Sequence, residues 1–235
     1  MREQTIVFLA GDSTVAARPI HEKPSFGWGV HLGATLNARI STVTGEPIPV
    51  FNIAKGGAST DSFREEGLWK ALLAELTPID VVLIQFAHND QKLGHLSPAG
   101  GFSANMERFT DDVQECGALP ILCTPPARRT WSGEELINSH GDYPDATRRL
   151  AERRQIPLVD LTASTTELIR TLGSSESARL YAHLPPGLSP SYPDGLADNT
   201  HFSFAGACAV AEIVADEIEE VVRARVHGTS PDAGR

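Results

Sequence analysis

Apolar, β-rich runs alternate with stretches of helical spacing along most of the chain. Residues 5–10, 49–54, 80–87, 119–124 and 156–160 are the predicted strands. Val81-Val82-Leu83-Ile84 and Ile121-Leu122 lack polar alternation, the pattern of strands covered on both faces. Helices are predicted over 28–40, 61–76, 104–117, 142–155, 162–172 and 204–225. The second opens on Asp61 and stops before Pro78, both ordinary boundary signals. The third sets Met106, Phe109 and Val113 at helical spacing. The last carries Ala, Ile and Val on one face, with Glu212, Asp216, Glu219 and Glu220 largely on another. Alternation of this kind predicts an α/β fold, a parallel sheet between two helical layers.

Neither an internal repeat nor a Pro-, Gly- or Ser-rich linker divides the chain, so 1–226 reads as one domain and 227–235 as a frayed tail. Long loops are expected over 88–103, 125–141 and 174–200. The first two directly follow strands, on the side of a parallel sheet where ligands bind.

Composition narrows the function classes. With 235 residues, 41% of them hydrophobic, the chain can bury a sizeable core. A net charge of −10 argues against nucleic-acid or anionic-membrane partners, which call for basic patches. No apolar stretch is long enough to span a bilayer. Cys116, Cys123 and Cys208 lack metal-ligand spacing and read as buried free thiols. The first residues hold no secretory apolar region, which predicts a cytoplasmic protein. A secreted protein whose leader had been removed would read the same way.

Two short motifs carry the chemistry. Gly11-Asp12-Ser13-Thr14 follows the first strand, and Asp198-Asn199-Thr200-His201 precedes the last helix. Together they offer a nucleophile, a general base and a carboxylate to orient that base. Asp198 and His201, three apart, would lie side by side on one helical turn. Each motif also has a plainer reading: Asp12 and Ser13 as turn caps, Asp198 or Thr200 as the cap of the last helix. Two further segments offer hydrogen-bond donors for an oxyanion. Lys55-Gly56-Gly57-Ala58-Ser59 follows the second strand, where the Gly57 N–H can face a ligand, or simply make a βα turn. Ala87-His88-Asn89-Asp90 follows the third, where Asn89 either donates its amide or caps a loop.

In combination, Gly11-Asp12-Ser13, Gly57, Asn89 and Asp198-x-x-His201 resemble the four ordered blocks of the SGNH (GDSL-type) hydrolase superfamily. Within it the chain is most similar to the rhamnogalacturonan acetylesterase branch. Gly11-Asp12-Ser13-Thr14-Val15-Ala16, Arg64-Glu65-Glu66-Gly67, Gln85-Phe86-Ala87-His88-Asn89-Asp90 and Asp198-Asn199-Thr200-His201-Phe202-Ser203 all have counterparts there. The resemblance implies a three-layer α/β/α sandwich with a five-stranded parallel sheet in flavodoxin-like order 2-1-3-4-5. It implies Ser13 as nucleophile, His201 as base and then acid, and Asp198 as orienter. Ser13 N–H, Gly57 N–H and Asn89 Nδ2 would form the oxyanion hole, with neither metal nor organic cofactor. Two positions depart from the pattern. Ala87 stands where the third block usually has Gly, a small change, and Ala58-Ser59 stands where relatives commonly carry Arg-Ser.

The implied activity is removal of acetyl groups from acetylated carbohydrate, including pectic rhamnogalacturonan oligosaccharides, through an acyl-serine. A substrate bearing uronate carboxylates needs a locally basic mouth on so acidic a chain. Arg128, Arg129, Lys55 and Lys92 lie near the motifs and can supply it. Trp131, Tyr181 and Tyr192 fall on long loops, as sugar-stacking faces or as packing residues. His88, His95, His140 and His183 lie on loops too, with solvated or hydrogen-bonding roles the default. Three rival readings stand beside this one. The same residues serve a lipase, a thioesterase or a xylan or oligosaccharide acetylesterase. His88, Asp90, Asp198 and His201 offer ligands for a metal-dependent phosphoesterase. A binding domain without activity is compatible with the fold alone.

Overall fold

Successive strand residues face opposite sides of a sheet, and here both sides are apolar because helices cover both. The computed structural model describes residues 4–19 and 24–228. Its main strands are β1 (Val7–Gly11), β2 (Val50–Asn52), β3 (Val81–Gln85) and β4 (Leu119–Cys123). After a small hairpin, β5 (Trp131–Ser132) and β6 (Glu135–Leu136), comes β7 (Leu158–Val159). The five-stranded sheet runs β2-β1-β3-β4-β7, with every neighbouring pair parallel. This is the expected order 2-1-3-4-5, with the inserted hairpin advancing the number of the fifth strand. A second antiparallel pair, β8 (Tyr181–Leu184) and β9 (Leu196–Phe202), precedes the last helix.

The helices are α1 (Gly29–Thr44), α2 (Thr60–Glu65), α3 (Leu68–Glu75), α4 (Gly101–Glu115), α5 (Tyr143–Arg154), α6 (Leu161–Glu176) and α7 (Phe204–Val226). Val7 and Leu9 of β1, with Val81 and Leu83 of β3, pack into one apolar cluster with α1, α6 and α7. Phe8 and Ala10, with Val82 and Ile84, pack into a second with α2 to α5. Each central strand thus serves two cores, which is why its sequence shows no polar alternation. Burying a single large apolar side chain contributes about 1.5–3 kcal/mol, so these clusters hold the sheet in place.

Several expected elements differ. The helix predicted over 61–76 is two helices, broken where Gly67 takes a left-handed φ of 78°. That conformation ends α2 and is readily open only to glycine. The loops predicted over 125–141 and 174–200 hold the two hairpins, whose strands are too short or too polar to show a period of two. Of the predicted tail, His227 and Gly228 close α7, and residues 229–235 lie outside the described residues. All three cysteines are free, but only Cys123 is buried; Cys116, at the end of α4, and Cys208, on the first turns of α7, are partly exposed. Among the described residues, no helix is long and apolar enough to cross a membrane.

Candidate active site

The loop after β1 bends sharply because Asp12 turns its carboxylate back on the chain. Asp12 Oδ1 accepts from Thr14 N at 2.9 Å and from Thr14 Oγ1 at 2.8 Å, an Asx-type turn. The Asp12 carbonyl accepts from Val15 N and Ala16 N, at 3.2 and 3.0 Å. Ser13 sits at the crest. Asp12 is therefore more than a cap. It is fully buried, and its Oδ2 lies 3.1 Å from His88 Nδ1. Burial pushes its carboxyl up, but the His88 charge, the His88 hydrogen bond and the Thr14 bonds together bring it down to about 2. A folded-state value below the ordinary one means that protonation favours unfolding. The stabilisation, about 2 kcal/mol, is full above pH ~4 and is lost as pH falls through about 2. We therefore expect the stability advantage of wild type over Asp12→Asn, measured by urea unfolding, to shrink between about pH 4 and pH 2. An advantage independent of pH would contradict this.

The second motif takes an unexpected form. Asp198 and His201 do not share a helical turn; they lie in β9, in an irregularity of the β8–β9 pairing. Tyr181 opposes Phe202 and His183 opposes Ala197, so β9 carries extra residues between the paired positions. This bulge folds around Asp198, whose Oδ1 accepts from Thr200 N at 2.8 Å and His201 N at 2.9 Å. Asn199 clamps it from outside. Its carbonyl accepts from Arg129 N at 2.9 Å, and its Oδ1 accepts from Arg129 Nη1 at 3.0 Å and lies 3.0 Å from His183 Nε2. Ser203 then caps α7 by accepting from Gly206 N at 3.2 Å.

These loops bring three side chains into series. Ser13 Oγ lies 2.9 Å from His201 Nε2, and His201 Nδ1 lies 2.7 Å from Asp198 Oδ2. With Nδ1–H donating to the carboxylate, Nε2 is left to accept the Ser13 proton. Burial raises the Asp198 carboxyl, but the side-chain and backbone hydrogen bonds from His201 and the imidazole charge lower it to about 2. It is therefore ionised throughout the neutral range.

The loops after β2 and β3 are locked together beside this series. Asn89 Nδ2 donates to Ala58 O at 2.9 Å. The buried Asp90 accepts from Thr60 N at 2.9 Å and Thr60 Oγ1 at 2.6 Å. Among the described residues, the N–H groups of Ser13 and Gly57 donate to no protein acceptor. Ala87 is buried with φ 133°, a region that L side chains rarely adopt. Replacing glycine by Ala87 is thus not conformationally neutral, and backbone strain of this kind costs of order 1–3 kcal/mol.

A cleft of about 420 Å³ gathers Ser13, Arg18, Gly56, Gly57, His88, Asn89, Lys92, Arg128, Thr200 and His201. Other expected contacts lie elsewhere. Trp131 packs against the core, Tyr192 is half-buried in the β8–β9 loop, and neither lines the cleft. Tyr181 is a core residue whose hydroxyl donates to Ala127 O at 2.7 Å. Lys55 pairs with Glu66. Arg129 is committed to Asn199. Arg128 lines the cleft, yet its guanidinium donates to Gln91 Oε1, Ser139 O and His88 O at 3.0, 3.2 and 3.3 Å. Gln91 in turn lies 3.1 Å from Nδ1 of the buried His140, whose Nε2 lies 2.9 Å from Pro126 O. Desolvation, with the charges of His88 and Arg128, drops His140 to about 3, so it is neutral. This partly buried polar network left no mark in the sequence pattern, because its members come from the loop after β3 and from both sides of the β5–β6 hairpin. The metal set fails to converge: His88 bonds Asp12, Asp90 bonds Thr60, and Asp198 and His201 bond each other. Among the described residues, no group of three or more His, Cys, Asp or Glu side chains is placed to hold a metal ion.

A hydroxyl, an imidazole and a carboxylate in series at the carboxyl ends of an open parallel sheet are the arrangement of a serine hydrolase. The chain belongs to the GDSL-like lipase/acylhydrolase family, whose model matches residues 9–208. It is 43% identical over 222 residues to rhamnogalacturonan acetylesterase RhgT of Bacillus subtilis (strain 168), covering 94% of this chain and 92% of that one. A second protein of that organism, the probable rhamnogalacturonan acetylesterase YesY, is 30% identical, covering 92% and 93%. Among solved structures, the acetylxylan esterase Axe2 of Geobacillus stearothermophilus matches with a TM-score of 0.66 at 17% identity, covering 92% of this chain and 94% of that one. At that identity the likeness is one of fold.

Proposed function

We propose that this enzyme removes acetyl groups from acetylated rhamnogalacturonan oligosaccharides by way of an acyl-serine. The observation that carries the reading is the series Ser13–His201–Asp198 opening into one cleft. Ser13 Oγ attacks the ester carbonyl while its proton passes to His201 Nε2, and Asp198 holds the imidazole and stabilises its charge. The carbonyl oxygen becomes an oxyanion, held by Ser13 N–H, Gly57 N–H and the Asn89 amide. Collapse expels the sugar alkoxide, which takes the proton back from His201. Water, deprotonated by the same imidazole, then releases acetate and restores Ser13.

Two observations support the substrate class. The name of the 43% identical relative states this activity for that protein. Arg18, Lys92 and Arg128 also face one cleft of a chain with net charge −10, a local positive field suited to a uronate-bearing ligand. The test compares kcat/KM for acetate release from acetylated rhamnogalacturonan oligosaccharides, acetylated xylo-oligosaccharides and long-chain p-nitrophenyl esters. We expect the first to be preferred by at least about tenfold, about 1.4 kcal/mol of transition-state binding. Preference for xylo-oligosaccharides would make this a xylan-type acetylesterase, and preference for long acyl chains a lipase or thioesterase.

A further inference from the structure

The Asn89 carboxamide has two possible orientations, and only one points an N–H at an oxyanion. Its two neighbours leave no choice. Ala58 O, at 2.9 Å, can only accept, and Lys92 Nζ, 2.8 Å from Asn89 Oδ1, can only donate. Nδ2 must therefore face Ala58 and Oδ1 must face Lys92, which leaves the second Nδ2–H for the cleft that Asn89 lines.

Lys92 is brought to this position by local backbone geometry. Asp90–Lys92 form a single 3-10 turn, in which positions three apart eclipse. Lys92 N donates to Asn89 O at 3.0 Å while its ammonium reaches Asn89 Oδ1. The turn itself cannot drift, because the Asp90 carboxylate is fixed to Thr60 N and Thr60 Oγ1. An ammonium on Oδ1 also draws electron density from the amide, which makes the remaining N–H a stronger donor.

We propose that Lys92 is a positioning residue that fixes and polarises the Asn89 amide as oxyanion donor. The inference rests on the esterase reading above and assigns a role to a side chain outside the triad. It separates two functions of a cation in the cleft. Recognition of a charged substrate would appear in KM, whereas support of Asn89 appears only as the oxyanion forms, and hence in kcat.

The experiment uses a neutral substrate, p-nitrophenyl acetate, so that attraction of a carboxylate plays no part. Removing an oxyanion donor outright, as in Asn89→Ala, lowers kcat by about 10²–10³-fold. Leaving the donor in place but unsupported, as in Lys92→Met, should lower kcat by about tenfold with KM changed less than about twofold. Lys92→Arg, which keeps a cationic donor, should recover most of kcat. In an Asn89→Ala background, Lys92→Met should cost nothing further. The thermal midpoint of Lys92→Met should match wild type, because the side chain is exposed. Unchanged kcat in Lys92→Met, or an equal loss with and without Asn89, would overturn the proposal while leaving the esterase reading intact. Wild-type enzyme inert toward every acetyl ester would instead overturn that reading, and this proposal with it.

Discussion

Ser13→Ala is expected to lower kcat for acetyl ester hydrolysis by roughly 10⁴–10⁶-fold while the protein stays folded. The change removes one oxygen atom and one hydrogen bond, Ser13 Oγ to His201 Nε2 at 2.9 Å, worth about 1 kcal/mol of stability. Ser13 is buried but sits in a loop, and its side chain belongs to neither apolar cluster. His201→Ala should cost about as much, and the double variant little more, because the two groups act as one unit. Asp198→Asn should cost less than either, since it misorients the base without removing it. Circular dichroism and thermal melting establish folding, and p-nitrophenyl acetate turnover reads the loss. Near-wild-type turnover by either single variant would contradict the assignment.

Gly206→Ala should be the most damaging single methyl group added to the fold. Gly206 stands in the first turn of α7, directly over the chain that enters β8. A Cβ at this position would lie 1.8 Å from Leu180 O, 2.7 Å from Leu180 C and 3.1 Å from Leu180 Cα. All three are backbone atoms, so no rotamer change relieves the clash. Either α7 or the Leu180 chain must move, and the hydrogen bond from Ser203 N to Leu180 O, at 3.0 Å, goes with it. That bond ties the end of β9 to the start of β8, and between them hangs the bulge bearing Asp198 and His201. We expect a stability loss of about 3 kcal/mol or more, with reduced kcat in whatever population remains folded. Gly94→Ala is the control: a Cβ there meets nothing within 4 Å, and the change should be nearly silent. Denaturant unfolding of both variants checks the prediction, and a Gly206→Ala protein as stable as wild type would contradict it.

The sheet was readable from sequence because its strands are buried on both faces, so Val81 to Ile84 announce themselves as an unbroken apolar run. Ser13, Gly57 and Asn89 were readable by position, each a few residues beyond the end of a strand. The local shape around Asp198 and His201 was not. A spacing of three suits a helical turn, yet this segment is a bulge, because pairing with β8 and the clamps from Arg129 and His183 are long-range. The same limit hid the roles of charged residues. Lys55 faces Glu66, and Arg128, while its charge still faces the cleft, is held by Gln91 and two carbonyls, partners that no local pattern reveals. Asp12 read as a turn cap because its buried partner, His88, follows the adjacent strand β3 and stands 76 residues further along the chain. Ala87 read as a small change from glycine because φ is invisible in sequence.

The most direct test of the account is covalent labelling with a fluorophosphonate, which reacts only with an activated nucleophile, followed by intact-mass analysis, peptide mapping and turnover assay. One phosphonyl group per chain is expected, carried by Ser13, with turnover lost in step with labelling. No label is expected on Ser13→Ala, and strongly slowed labelling on His201→Ala. Turnover that survives complete labelling of Ser13, or inactivation by a label carried on another residue, would contradict the account.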